Sequence, residues 1–241
     1  MSRPRQFAVL LCATLALAGC GRSGSYRYKL TLSVDTPDGV KTASSVVEVT
    51  IREVTFPEAG WPVSLNGEAL YVDLGAGRRP LLALLRGPCT GYDCRAWPHD
   101  KLVYWSNGPT YLMARLYGDP IKTMEQQFGE YAALAKPRKP VELQPMDLPV
   151  LATFEDVNDP NSVRRVDPND IAATLGPGVH WRKIIIETTN EPITIGIEKK
   201  LPWLTKLAPV QHLDGGILGY FDGQPNYTFA NSLQTYDFKR D

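Results

Sequence analysis

The chain has 241 residues, which is enough for one large domain or two small ones. Apolar residues make up 43% of it and charged residues 22%, a composition that excludes long disordered, collagen-like and multi-pass membrane chains. Since 26 Lys and Arg residues balance 26 Asp and Glu residues, no strong field draws the whole chain to nucleic acid, and no nucleic-acid partner is expected.

Residues 1–19 have the pattern of an export signal. Arg3 and Arg5 precede a short apolar run over residues 7–17. The run is shorter than the roughly 20 residues that a membrane-spanning helix needs, so the pattern predicts a secretory signal peptide and not a transmembrane helix.

The end of this segment, Leu17-Ala18-Gly19-Cys20, resembles the lipobox of bacterial lipoproteins. The resemblance implies cleavage before Cys20, transfer of a diacylglyceryl group to its thiol and acylation of the new amino group, which together give a stable membrane anchor. The alternative is an ordinary signal peptide that is cleaved after residues 16–18. Gly21, where an Asp would favour retention in the inner membrane, implies by the same resemblance the outer membrane, facing the periplasm.

A very short tether follows the predicted lipidated cysteine. Residues 21–25 are small or polar, and five extended residues reach only about 17 Å. We therefore expect the globular part, residues 26–241, to lie close to the lipid surface.

Four cysteines are present, of which Cys12 leaves with the signal peptide and Cys20 is the predicted lipidation site. Cys89 and Cys94 remain, and in an oxidising compartment this pair predicts one disulfide bond, which contributes about 2 kcal/mol. A redox pair of the thioredoxin type has two intervening residues and not four. A zinc site lacks a nearby pair of histidines.

The first half of the globular part predicts antiparallel hairpins. Residues 26–35 alternate between apolar and polar side chains, 36–39 form a Pro- and Gly-containing turn, and residues 47–51 alternate again. Residues 69–74 and 80–85 flank a Gly-rich turn and predict a second hairpin. Residues 102–105 predict a further strand.

One long amphipathic helix is predicted after Asp119 and Pro120, which suit its first turn. Its buried face recurs at three- and four-residue spacing: Ile121, Met124, Phe128, Tyr131 and Leu134. The stretch 136–145 is rich in proline and basic residues, and it is a candidate linker or sub-domain boundary. Its basic residues suit a solvated surface or, alternatively, contact with anionic lipid head groups.

The second half again predicts hairpins, together with short helices. Residues 150–154 should pair with 163–166, and residues 181–189 with 193–197. Asp170 should cap a short helix over 171–175, and residues 202–207 should form one or two helical turns. The sum is a strand-dominated α+β fold with antiparallel hairpins, one long amphipathic helix and short helices.

Two segments resemble exported proteins of proteobacteria to which no activity is attached. They are residues 26–32 running into 36–39, and residues 164–170 continuing through 179 and on to 196–204. The resemblance implies a Gram-negative envelope and contributes no catalytic residue.

The sequence carries no catalytic signature. It lacks G-x-S-x-G, S-x-x-K, H-E-x-x-H and phosphate-binding motifs. Its histidines are His99, His180 and His212, and only His99, beside Asp100, suits a hydrolase site. Residues 156–167 begin like a calcium loop, but Pro160 stands at a ligand position. No catalytic residue, metal site or cofactor is therefore assigned.

An aromatic group could be core or could line a groove: Trp97, Tyr104, Trp105 and Tyr111. The function predicted from the sequence is a membrane-anchored envelope lipoprotein that acts as a non-catalytic binding, adaptor or assembly factor with an envelope protein as partner. The alternatives are an envelope hydrolase of cell wall or lipid, and a small-ligand carrier.

Overall fold

Strands dominate the part of the chain that the computed structural model describes, residues 23–52, 63–75, 77–87, 116, 133–208, 211–219, 224 and 227–240. The strands are β1 (Ser23–Thr36), β2 (Gly39–Arg52), β3 (Val63–Glu68), β4 (Leu70–Val72), β5 (Leu81–Ala83), β6 (Val141–Glu142), β7 (Leu151–Phe154), β8 (Val163–Arg165), β9 (His180–Thr188) and β10 (Lys239–Arg240). They form two antiparallel sheets, a larger one in the order β10-β3-β2-β1-β9-β6 and a smaller one in the order β4-β5-β7-β8.

Helices are short among the described residues. The α-helices are α1 (Ile171–Leu175) and α2 (Phe229–Ser232), and single 3-10 turns occupy Pro145–Asp147, Pro160–Ser162, Ile197–Lys199, Pro202–Thr205 and Thr235–Asp237. Within these residues, none of the helices has the length and apolar character needed to cross a membrane.

The long hairpin of β1 and β2 lies at the centre of the larger sheet. Its strands have 14 residues each and pair along their full length. From Tyr26 onwards, even-numbered side chains of β1 are buried and odd-numbered ones remain at least partly exposed. The predicted hairpin is confirmed, and the alternation of residue types explains which face is buried.

The turn of this hairpin follows from its four residues. Pro37 and Asp38 form the tip, and Gly39 has a φ of 102°, in the region that favours glycine. The hydroxyl of Thr36 donates to the carbonyl oxygen of Gly39 at 2.8 Å and accepts from the N–H of Asp38 at 3.2 Å.

Four further sequence predictions are confirmed. Strands β4 and β5 pair as the second hairpin, and β7 pairs with β8. Helix α1 is capped by Asp170, whose carboxylate accepts from the N–H of Ala173 at 3.1 Å. A 3-10 turn over Pro202–Thr205 forms the predicted helical turn.

The predicted α+β class with one long amphipathic helix is wrong for the described part of the chain. That part is strand-dominated, with two antiparallel sheets and two α-helices of five and four residues. The physical reason is that, among the described residues, the apolar face of the larger sheet packs against the smaller sheet and the short helix α1, so its burial there needs no long helix. Most of the segment 120–134 lies outside the described residues, as does the strand predicted over 102–105.

The prediction of a hairpin between 181–189 and 193–197 is also wrong. Strand β9 pairs instead with β1 and β6. Thr194 bonds to Val46 of β2, where its N–H donates to the carbonyl oxygen at 3.0 Å and its hydroxyl accepts at 2.9 Å. The segment 136–145, a candidate linker in sequence, contains β6 and so contributes to the larger sheet.

The smaller sheet separates two apolar clusters. On β5, Leu81 and Ala83 pack with the larger sheet, whereas Leu82 packs on the opposite side. That second side is covered by the C-terminal part of the chain, where Trp203 and Phe238 meet edge to face with ring centroids 5.3 Å apart. Two-sided burial explains why β5 reads as a continuous apolar run.

We expect Leu32→Ala to lower the free energy of unfolding by about 2–5 kcal/mol, because Leu32 is 0% exposed and its truncation leaves a cavity. Thr31→Ala, on the opposite face of β1, should cost less than about 1 kcal/mol. Urea denaturation of the two variants measures the difference, and equal losses would contradict the assigned faces.

Candidate functional site

A cleft of about 660 Å³ lies between β3 and the C-terminal segments of the chain. Its lining has apolar residues, small polar residues and both signs of charge. The lining residues are Val63, Ser64, Leu65, Glu198, Leu204, Thr205, Leu207, Thr235, Tyr236, Lys239 and Arg240. Concave sites of this size, apolar with a few polar groups, are the usual binding sites of proteins.

The cleft exists because β10 covers only one end of β3. Strand β10 pairs with Gly67 and Glu68, and the edge of β3 before them faces the cleft. Gly67 has a φ of 143°, and a Cβ there would lie 3.1 Å from backbone atoms of Val46 and Val47. This close approach of backbones requires glycine and fixes where β3 meets β2.

A buried carboxylate connects β3 to the segment that precedes the cleft residue Glu198. Glu68 is 2% exposed, and its two carboxylate oxygens accept from the N–H groups of Gly196 at 2.8 Å and Ile197 at 2.7 Å. Burial raises the pKa of Glu68, and these two hydrogen bonds oppose that shift. Its partner across the strands is Lys239, so a cation lies beside the buried acid.

Glu198 is a neighbouring carboxylate that lines the cleft. Lys239 forms an ion pair with Glu198, and the hydrogen bond from its ammonium group holds the pKa of Glu198 below the ordinary range. The two carboxyls and the lysine therefore form one compensated group.

A second group anchors the C-terminal strand. Asp237 is 3% exposed, accepts from the N–H of Gln234 at 2.9 Å and lies 3.8 Å from Arg86. Burial raises the pKa of Asp237. Arg240 donates to the carbonyl oxygen of Tyr236 at 2.9 Å and lies 4.8 Å above its ring centroid. These charges are engaged in holding β10 in place.

His212 is a buried histidine at a loop behind this group. It is 8% exposed, and its Nε2 lies 3.1 Å from the side-chain nitrogen of Gln234. Nδ1 has no hydrogen-bond partner among the described residues. A Cβ at Gly219 would lie 2.7 Å from the ring, so the loop packs directly on it.

The histidines that the sequence singled out are not brought together as far as the structure describes them. His180 is exposed at the start of β9 opposite Asp35, and His212 is buried beside Gln234. The proposed hydrolase residues His99 and Asp100 lie outside the described residues.

Other candidate residues also lie outside the described part. These are the lipidation site Cys20, the predicted disulfide pair Cys89 and Cys94, and the aromatic group Trp97, Tyr104, Trp105 and Tyr111. The lipidation and the disulfide remain predictions.

The calcium-like segment is a hydrogen-bonded turn. The carboxylate of Asp156 accepts from the N–H of Asn158 at 2.9 Å and from its side-chain amide at 3.1 Å. Among the described residues, no group of three or more His, Cys, Asp and Glu side chains is arranged to hold a metal ion.

Sequence reasoning missed the residues that build the cleft. Glu68, Glu198 and Lys239 stand in three separate segments, and none belongs to a motif. Glu68 directly precedes the apolar run 69–72, but this position does not distinguish a buried charge from an exposed one, so no sequence signal marks these residues.

No known protein family, no curated protein and no solved structure matches the chain.

We expect Glu198→Gln to lower the free energy of unfolding by about 1 kcal/mol or less at neutral pH, because the ion pair with Lys239 is partly exposed. The pKa of folded Glu198 is lowered, so this stabilisation is present above the ordinary glutamate pKa and is lost as the pH falls through the folded value. Urea denaturation across this range measures it, and Glu142→Gln is the matched control at an exposed position.

A Lys239→Met variant completes a double-mutant cycle with Glu198→Gln. A coupling energy that stays constant from neutral to acidic pH would contradict the assigned ion pair.

Proposed function

We propose that the protein is a lipid-anchored lipoprotein of the bacterial envelope, which uses the cleft to bind a partner or ligand without chemical turnover. The observation that carries the proposal is the place of β1 in the fold. It begins at Ser23, three residues after the predicted lipidation site Cys20, and it is an inner strand between β2 and β9. A lipid at Cys20 would therefore be joined almost directly to the central sheet, with little slack.

The register of the strands supports a cleft near the membrane. Val63 of the cleft pairs with Ile51, and Ile51 pairs with Gly24. We call the end of the larger sheet at which β1 begins the anchor end. The cleft residue Val63 lies in the same row as the anchor end, so this part of the cleft would lie near the membrane surface. By the resemblance at Gly21, that membrane is the outer membrane.

The state of the charged groups favours binding over catalysis. Both oxygens of Glu68 accept backbone hydrogen bonds, Glu198 is bound by Lys239, and Asp237 lies beside Arg86. A general acid or base must be able to reach the substrate's proton, whereas these carboxylates are occupied within the protein. The remaining lining, with leucine, valine, serine and threonine side chains, suits a segment that carries both apolar and polar groups.

Glu68 and Glu198 are the neighbouring carboxyls that the described residues offer to the hydrolase alternative, whose other candidates, His99 and Asp100, lie outside the described residues. The pKa values of Glu68 and Glu198 shift in opposite directions, as the acid and base of a hydrolase do. Turnover of isolated cell wall or phospholipid by the purified protein, abolished in Glu198→Gln, would establish that alternative and contradict our proposal.

We expect Cys20→Ala to prevent lipidation and to release the protein from the membrane fraction, because no other acylated residue would hold it there. Cys12→Ala is the matched control, since it removes a cysteine from the signal peptide and keeps the predicted acceptor thiol. Fractionation of cells after a high-salt wash, with immunoblotting, measures the outcome. A Cys20→Ala protein that stays with the membranes would contradict the anchor.

We expect a photo-crosslinking amino acid at Ser64 or Thr205 to capture a discrete partner in intact envelopes. Both side chains are exposed and line the cleft. The control position is Lys183, which is exposed on β9 and lies outside the cleft. Mass spectrometry identifies the adduct. Absence of an adduct at the cleft positions, or the same adducts at Lys183, would contradict binding through the cleft.

A further inference from the structure

We propose that the cleft binds an extended polypeptide segment of a partner, which adds as a strand to the open edge of β3. The inference deepens the proposed function and rests on it, since it names the kind of ligand that the same cleft binds. Three observations carry it. Strand β10 covers only part of this edge, the open part lacks the charges found at the other edge of the sheet, and leucine side chains line the same cleft.

The edge of β3 is open along residues 63–66. On one side these residues pair with residues 48–51 of β2. On the other side, β10 pairs with the two residues that follow, Gly67 and Glu68. Among the described residues, no strand pairs with this second side of residues 63–66. The first three of them line the cleft instead, so the cleft gives access to the strand edge.

An open strand edge presents backbone N–H and C=O groups with which an incoming extended chain can pair. Four residues of strand are about 13 Å long, and alternate residues turn both of these groups outward. Because the ladder between β10 and β3 ends at Gly67, an added strand would continue along the same edge. The cleft at this edge has a volume of about 660 Å³, which suits a short peptide segment.

The other edge of the larger sheet is protected against pairing in a way that the open part of β3 is not. Strand β6 at that edge has two residues, one of them Glu142, and it follows Pro140. The part of β9 that precedes its pairing with β6 has exposed Arg182 and Lys183. Short strands, proline and charged side chains all hinder pairing with another chain. Residues 63–66 contain neither proline nor a charge, so this edge suits pairing.

Another part of the cleft wall suits apolar side chains. Leu204 and Leu207 line the cleft, are half-buried and pack against the apolar cluster that contains Trp203. The N–H of Leu207 donates to the carbonyl oxygen of Trp203 at 3.1 Å, and the indole N–H of Trp203 donates to the carbonyl oxygen of Val157 at 3.1 Å. These bonds fix the wall. Since side chains of a strand alternate between its two faces, we expect every second residue of the bound segment to be apolar.

The experiment measures binding of peptides to the unlipidated protein. The chain from residue 20 onward, with Cys20→Ala, retains every described residue. A displayed library of random peptides is selected on it, and the strongest peptide without charged residues is synthesised. Two further versions carry N-methyl groups, one on the odd-numbered and one on the even-numbered backbone nitrogens. A strand pairs with β3 through only one of these sets. We therefore expect one version to bind at least about tenfold more weakly and the other nearly as the parent peptide does, by fluorescence anisotropy.

Ser64→Lys should weaken binding of the unmodified peptide by about fivefold, because a charged side chain on an edge strand hinders pairing. Ser44→Lys makes the same change at an exposed serine of β2 outside the cleft and should bind nearly as the parent does. Circular dichroism verifies that both variants are folded. Failure to select a peptide, equal effects of the two methylation patterns, or equal affinities of the two variants would overturn the proposal. A dimer that Ser64→Lys dissociates would also overturn it, since a second copy would then occupy the edge.

The result is distinguishable from the test of the proposed function. If a crosslinker at Ser64 or Thr205 captures a partner in envelopes but peptide binding is independent of the methylation pattern, the cleft binds a partner and strand addition is wrong. If one methylation pattern alone weakens peptide binding but no adduct forms in envelopes, the edge of β3 accepts a strand and the proposed envelope partner is wrong.

Discussion

The pairing of β1 on both sides is the constraint on which the rest of the structure depends. Hydrogen bonds to β2 and β9 satisfy its backbone, and its even-numbered side chains fill the space between the two sheets. Since a slip of one residue would turn the whole buried set to solvent, the register is strongly fixed. Strand β2 in turn pairs with β3, which lines the cleft, so the position of the cleft depends on this register.

The buried carboxylate of Glu68 is the second determinant, and it connects parts of the chain that are remote in sequence. Its two oxygens bind the backbone at Gly196 and Ile197, and its neighbour across the strands is Lys239. Burying a charged group costs free energy unless the group is hydrogen-bonded and paired. Gly196, Ile197 and Lys239 together offset the cost of burying Glu68. The segments that this one side chain connects also supply lining residues of the cleft, among them Leu65, Glu198 and Lys239.

Local patterns predicted the hairpins correctly, because each hairpin is encoded within about 30 residues of alternating side chains and a turn. The prediction failed where pairing is remote. Residues 193–197 alternate as a strand does, yet Thr194 bonds to Val46, about 150 positions earlier. Strand β3 escaped recognition because Gly67 and Glu68 interrupt its alternation. The cleft could not be predicted at all, since a single sequence does not reveal which distant segments meet.

The register of the larger sheet relates the cleft to the predicted anchor. The row that runs from Val63 through Ile51 to Gly24 brings the cleft to the same end of the sheet as the predicted anchor. With a lipid at Cys20, this end of the sheet would stay close to the membrane surface, since β1 begins three residues after the predicted anchor. Strand β6 lies at one edge of the sheet, so the side with β3 and the cleft would be the part of the anchor end open to a partner at that surface.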